Sequence, residues 1–220
     1  GLPWVSVKAA MTLDGKIATE SGESKWITGE AARRKGIYLR RGSDAILVGV
    51  ETVLADNPSL LARGKRGGVA LRRVVLDSQA RTPMDAQVVS DDQEQHTTVV
   101  VLRGAPAKRV AALKRRVNVL EAPARNGRID LRWLLKRLGK ESVTSLLVEG
   151  GGEVNGSFLQ GGLAQRIAFF YAPKILGGIR SRAAVGGEGV KRLEDSLRLQ
   201  EVVWERLGSD LMLTARVVKA

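Results

Sequence analysis

The chain has 220 residues, 44% of them hydrophobic and 4% aromatic, and its 36 Lys and Arg against 23 Asp and Glu give a net charge of +13. It has no cysteine and one histidine, His96. That excludes disulfides, a Cys/His zinc site and a cysteine nucleophile. A Ser-His-Asp triad would have to use His96, which ends the polar run Asp91-Asp92-Gln93-Glu94-Gln95-His96 and reads as surface. No apolar run approaches the ~18–20 residues that span a bilayer. No basic, apolar, small-residue signal opens the chain. The expectation is a cytoplasmic protein with no membrane partner, and Gly1 in the place of Met suggests a processed or trimmed chain. The basic residues are scattered, as in Arg33-Arg34-Lys35, Arg72-Arg73 and Lys114-Arg115-Arg116, and are not interleaved with aromatics. They read as solvated faces with a few aimed at an anionic small molecule, and nucleic acid is not an expected partner.

Val5 to Ala10 alternates and predicts a strand, closed by an Asp14-Gly15 turn. Thr28 reads as the N-cap of a helix from Glu30 to Arg40, with Ala31, Ile37 and Tyr38 as its apolar face and Gly36 as a weak point. Asp44 to Gly49 predicts a buried strand, Glu51 to Ala55 one helical turn, and Asp56-Asn57-Pro58 its end. Strands follow at Arg73 to Asp77 and Thr97 to Leu102, then a basic helix from about Ala107 to Arg116. Val117 to Leu120 predicts a strand, Leu131 to Leu138 a helix, Ser145 to Glu149 a strand and Ile167 to Ala172 another. Leu199 to Arg206 and Leu211 to Val218 read as a hairpin joined by Gly208-Ser209-Asp210. Strands and helices alternate to about residue 175 and become hairpin-like after it. The order implies an α/β fold: a central mostly parallel sheet with helices on both faces and an antiparallel C-terminal hairpin, in one domain.

The densest signal is Leu146-Leu147-Val148-Glu149-Gly150-Gly151-Gly152-Glu153-Val154-Asn155-Gly156-Ser157. An apolar strand ends in a carboxylate, glycines turn the chain, and helical spacing begins. Glycines let backbone N–H groups approach a ligand, and a helix N-terminus suits a phosphate. The segment reads either as a phosphate cradle or as a connecting turn. It is not the G-x-G-x-x-G fingerprint, because Asn155 stands where the third glycine belongs, and it is not a Walker loop.

Four ordered segments carry a resemblance: Lys8-Ala9-Ala10-Met11-Thr12-Leu13-Asp14-Gly15-Lys16-Ile17-Ala18; Gly22-Glu23-Ser24-Lys25-Trp26-Ile27-Thr28; Asp44 to Gly49 with Thr52 to Pro58 and Leu60 to Arg63; and Leu147-Val148-Glu149-Gly150-Gly151 continued by Ala172-Pro173-Lys174-Ile175-Leu176-Gly177-Gly178. Together they closely resemble the reductase domain of the bifunctional riboflavin-biosynthesis deaminase/reductase. The resemblance implies a dihydrofolate-reductase-like fold and an oxidoreductase that uses NADPH to reduce the ribosyl group of 5-amino-6-(5-phosphoribosylamino)uracil to a ribityl chain. It implies a homodimer, for which the apolar C-terminal edge is a second reason. The family's zinc deaminase motifs need cysteine, so the expectation is a single reductase domain over 1–220 with no deaminase half and no metal.

The resemblance implies substrate contacts at Ser24, Arg40, Leu60, Arg63 and Glu149. It implies cofactor contacts at Ala10, Trp26, Thr52, Asp56, Ser78, Gly151, Gly152, Glu153, Val154, Asn155, Gly156 and Ser157. Lys8 and Glu149 are the candidate catalytic residues, Lys8 either steadying an oxyanion and the ribose or standing as a solvated lysine. Arginines suit a phosphate monoester, and an indole suits a flat ring; otherwise Arg40 and Arg63 read as surface arginines and Trp26 as a core residue. Ser78 and Arg81 read either as a turn or as a seat for the cofactor's 2′-phosphate. Two positions depart from the family pattern: Lys35-Gly36, where many relatives have histidine, and Gln165, where aspartate is common. A same-fold reductase for another pterin- or pyrimidine-like substrate is the nearest alternative, and a basic nucleic-acid-binding module the more distant one.

Overall fold

Val5, Val7, Ala9 and Met11 are buried while Ser6, Lys8 and Ala10 between them are half-buried. This period of two is that of a strand, β1 (Trp4–Thr12). In chain order there follow β2 (Lys16–Ala18), α1 (Glu30–Arg41), β3 (Ala45–Gly49), α2 (Val50–Asp56), β4 (Arg72–Leu76), α3 (Gln87–Ser90), β5 (Thr97–Leu102), α4 (Ala107–Leu113) and β6 (Asn118–Ala122). The short β7 (Ala124–Arg125) and β8 (Arg128–Ile129) precede α5 (Leu131–Lys140), β9 (Ser145–Val148), α6 (Gly152–Gln160), β10 (Arg166–Ala172), β11 (Arg182–Ala183), β12 (Arg198–Leu207) and β13 (Asp210–Val218). This computed structural model describes residues 1–62 and 71–218. No helix among the described residues is long and apolar enough to cross a membrane. Two compact units divide the chain, one of Gly1–Pro3 with Arg40–Leu146 and one of Trp4–Leu39 with Leu147–Ala220.

In the first unit β3, β4, β5 and β6 pair in parallel, and the register sets Val48, Val75, Val99 and Val119 in one lateral row. All five residues of β3 are buried, as a parallel strand covered on both faces requires. Runs this short and β-branched favour strand over helix. Val50, Val53, Leu60, Val88, Val89, Val110 and Leu113 complete the core, which is aliphatic because the chain has few aromatics. α2 is two turns long, not one, and ends at Asn57 with φ 41°. α5 is capped by Asp130, whose Oδ1 accepts from the N–H groups of Arg132 and Trp133 at 2.9 and 3.1 Å.

One basic residue departs from the solvated reading. Arg73 is fully buried, and its guanidinium donates to both Asp91 oxygens at 2.6 and 2.8 Å and to the Ser59 and Val88 carbonyls. The polar run from Asp91 to His96 therefore supplies an internal counter-ion as well as surface. That charge-assisted bond holds the Asp91 carboxyl below its ordinary value against burial, which acts the other way.

In the second unit β1 pairs in parallel with β10, β10 antiparallel with β13, and β13 antiparallel with β12. Parallel pairing thus gives way to antiparallel at the C-terminal strands. α1 begins at Glu30, and the residue before it is Gly29, not the expected cap Thr28. The Gly29 carbonyl accepts from the Arg33 N–H, and its own N–H donates to buried Asp210 at 2.7 Å. The remote carboxylate replaces a local hydroxyl. The buried side of α1 is Ala32 and Gly36, with Leu39 packed behind them, while Tyr38 is exposed. The face is rotated from the expected Ala31, Ile37 and Tyr38 because small residues admit closer packing.

Both departures from the family pattern have structural work. Lys35 Nζ bonds both Glu205 oxygens at 2.9 and 2.8 Å. Gln165 brackets Val5: its Oε1 accepts the Val5 N–H at 2.8 Å and its N–H donates to the Val5 carbonyl at 3.0 Å. α3, the β2–β11 pair and the β7–β8 pair were not expected. Each is too short to impose a period on the sequence.

Candidate active site

In the second unit the β1 alternation turns Lys8 and Ala10 to one face. Glu149 directly follows β9. Lys8 Nζ lies 3.5 Å from Glu149 Oε2, with side chains 19% and 9% exposed. The lysine stem lies against Gly36 of α1, and its ammonium stands 5.6 Å from the Phe170 ring centre. The lysine is therefore not the solvated alternative. It is a partly buried cation 3.5 Å from a largely buried carboxylate. Ala10 packs on the Ala32, Phe170 and Met212 cluster.

The glycine turn leads into α6 as expected. Gly151 is the N-cap, extended at φ −67° and ψ 174°, and it brings no side chain to the helix end. Two glycines of the helix have a further role. A Cβ on Gly152 would stand 2.3 Å from the Ala183 carbonyl oxygen, and one on Gly156 2.1 Å from that of Gly186. Their bareness seats the segment from Ala183 to Gly187 on the helix. The Gly186 N–H donates to the Gly152 carbonyl at 2.8 Å, Gly187 N–H to Glu153 Oε1 at 3.1 Å, and buried Asn155 Nδ2 to the Ala184 carbonyl at 2.8 Å. Ser157 Oγ bonds back to the Glu153 carbonyl. Val154 fills the space beside Gly150. Of the expected cradle, Gly152, Glu153, Asn155 and Gly156 thus carry packing duties that only the fold reveals.

Trp26 is not in the core: 64% of it is exposed. Arg33 stacks on its ring at 4.7 Å, and Lys174 Nζ donates to its carbonyl at 2.8 Å. Lys174 belongs to a loop fixed by Asp14, which accepts from the N–H groups of Leu176 and Gly177 at 3.1 and 2.7 Å and from Thr12 Oγ1 at 2.6 Å. The Thr12 hydroxyl and the Gly177 amide lower the Asp14 pKa from 3.8 to about 2. Ser24 is half-buried on the same segment as Trp26. Sequence reasoning passed over Arg33 and Asp14. The Ala172-Pro173-Lys174 motif was the available signal for Lys174 alone.

In the first unit, Arg40 Nη1 donates to the Leu61 carbonyl at 3.3 Å. That sets it beside Leu60, which is buried with φ 55°. Arg63, the second expected phosphate ligand, lies outside the described residues. Thr52 and Asp56 sit half-buried on α2. Ser78 occupies a turn after β4, and its carbonyl accepts from the Leu102 N–H at 3.3 Å. Arg81 pairs with Glu51, which raises its pKa. Ser78 thus lies in a turn, and Arg81 is paired to a carboxylate. Among the described residues no group of three or more His, Cys, Asp or Glu side chains is placed to hold a metal ion.

Residues 3–213 match the model of the RibD C-terminal domain. The chain is 43% identical over 216 residues to the riboflavin biosynthesis protein RibD of Actinobacillus pleuropneumoniae, covering 98% of this chain and 57% of that protein. It is 44% identical over 213 residues to a 2,5-diamino-6-ribosylamino-4(3H)-pyrimidinone 5′-phosphate reductase of Methanothermobacter thermautotrophicus, covering 96% of each. A RibD structure from Acinetobacter baumannii superposes with a TM-score of 0.83 at 30% identity, over 99% of this chain and 59% of that one. The chain thus spans little more than half the length of the RibD proteins it matches.

Proposed function

The chain belongs to the RibD C-terminal domain family, and on that premise we propose that it is an NADPH-dependent reductase of riboflavin biosynthesis. Its substrate on this reading is 5-amino-6-(5-phosphoribosylamino)uracil, and it reduces the ribosyl group to the ribityl chain. The observation that carries the reading is the Lys8–Glu149 pair, 3.5 Å apart and largely withdrawn from water, next to a helix N-terminus without a side-chain cap. We take residues 1–220 as one reductase domain of a cytoplasmic homodimer that uses no metal, no nucleic acid and no membrane.

The residues present fit the cofactor. Trp26 offers an open aromatic ring. The first turn of α6 follows a bare glycine cap, and helix starts carry N–H groups suited to phosphate. Ser78, Thr52 and Asp56 are the proposed contacts in the first unit. When bound, NADPH supplies the hydride, and the protein supplies position and electrostatics. Glu149 accepts hydrogen bonds from substrate N–H or hydroxyl groups, and Lys8 Nζ holds a proton beside them. Arg40, with Arg63, takes the phosphate as fork-shaped donors.

A second reading concerns the substrate alone. The 96% mutual coverage with the archaeal reductase favours its 2,5-diamino-pyrimidinone phosphate. The deciding experiment follows NADPH oxidation with each compound separately, and NADH as control. Turnover of neither compound would sink both readings. Glu149→Gln should lower turnover by roughly 10- to 100-fold, the scale of one hydrogen bond to a charged group. NADPH affinity, measured by calorimetry, should stay near that of the parent.

A further inference from the structure

We propose that Arg33 is a positioning residue whose guanidinium fixes the Trp26 indole for the nicotinamide cofactor, an assignment that rests on the cofactor reading of Trp26. Three neighbouring cations open α1, and they part ways. Arg34 pairs with Glu30, and Lys35 with Glu205. Arg33 turns instead to the Trp26 ring, 4.7 Å from its centre, while its Nη1 donates to the Thr28 carbonyl at 2.8 Å. Thr28 is buried, so that carbonyl is a fixed point. One planar group thus ties the ring to the backbone two residues further on. From another direction Lys174 Nζ holds the Trp26 carbonyl, and the Leu13 N–H holds the Lys174 carbonyl at 2.8 Å.

The ring is clamped at its backbone and on one face, yet it is 64% exposed. A large indole held still in water gains little for folding. Holding it does reduce the ordering cost when a flat ligand lands on it. A guanidinium is suited to the task because it stacks through its plane and donates through its edge at once; an ammonium is a point charge and does one or the other. A surface arginine without this role would not need both contacts.

The test uses the full chain with Arg33→Ala, Arg33→Lys, Trp26→Ala and the double variants Arg33→Ala/Trp26→Ala and Arg33→Lys/Trp26→Ala. The first readout needs no cofactor. Acrylamide quenching of Trp26 emission, taken as the difference between each protein and its Trp26→Ala counterpart, should rise in Arg33→Ala and rise less in Arg33→Lys. Unchanged quenching in Arg33→Ala overturns the clamp. The second readout is NADPH affinity by calorimetry. Arg33→Ala should weaken it about two- to tenfold, the scale of the ordering cost of one side chain. In the Trp26→Ala background the same change should have no further effect. Equal losses in both backgrounds would make Arg33 a structural part of α1 and overturn the proposal. If quenching rises but Trp26→Ala leaves NADPH affinity intact, Trp26 is not a cofactor contact and the positioning role falls with it. That failure is separate from a failure of the reductase reading, which absence of turnover would report.

Discussion

β3 and β12 are both valine-bearing strands with the same backbone chemistry, and their surroundings are opposite. Every residue of β3 is buried, whereas Leu199, Val202, Val203 and Trp204 of β12 are 39–58% exposed. β3 is an unbroken apolar run within parallel strands. Among the described residues β12 ends its row and pairs only with β13, and it interleaves Arg198, Gln200, Glu201, Glu205 and Arg206 with its apolar residues. A register shift between Gln200 and Val203, with Glu201 at φ 52°, breaks its ladder. Charges and bulges are the usual guards of an open edge against random pairing. The difference teaches that apolar content alone does not decide burial. β3 is internal because it has nothing polar to keep wet. An edge that keeps a tryptophan exposed among its charges is suited to one specific partner, here proposed to be a second copy.

The comparison can be broken most severely on the inner side. Arg73→Ala, on β4, should cost about 3–5 kcal/mol in urea unfolding, because Asp91 is left without its buried counter-charge. A loss below ~1 kcal/mol would mean that water already solvates the pair. Leu47→Ala on β3 should cost about 2–5 kcal/mol by leaving a cavity. On the outer side, Trp204→Ala should shift chain stability far less, by under ~1 kcal/mol, as exposed substitutions do. It should nonetheless move the sedimenting species toward the 23.7 kDa monomer. A parent protein already monomeric at micromolar concentration would refute the edge as an interface. The smallest effect concerns the loop anchored by Asp14. Its carboxyl is held at about 2 instead of 3.8. A depressed folded pKa contributes stability that is complete above 3.8 and fades as pH falls through about 2. Asp14→Asn should therefore lower stability across the neutral region, flatten the acid limb in that window and converge with the parent below about pH 2. An unaltered acid limb would show that the loop does not depend on this carboxylate.

Legibility in the sequence followed distance along the chain. The valine runs, the Asn57-Pro58 stop and the hairpin at Gly208 depend on neighbours and were read to within a residue or three. Thr28 failed as a cap because Gly29 is held by Asp210, 181 residues away. Arg73 passed for a solvated residue because its counter-ion is 18 residues off and belongs to a run that looks like surface. At the site, Glu149 was legible as a carboxylate ending a strand before glycines. Its neighbour Lys8 could not be told from a surface lysine, since the Glu149 carboxylate and the Phe170 ring reach it only through the fold.

The sequence by itself determined the order of the longer strands and helices, the aliphatic core and the lack of thiol chemistry, because periodicity, propensity and composition act over a few residues or over the whole chain at once. Only the tertiary structure decided which charges are buried, which side of α1 faces inward and what the glycines of α6 are for. Gly152 and Gly156 read as freedom for a ligand, yet backbone from Ala183 to Gly186 occupies the space their missing Cβ atoms leave. Close packing settles such questions: an empty position in the sequence is filled by whichever chain segment folding brings against it, and that segment has no mark in the local residues.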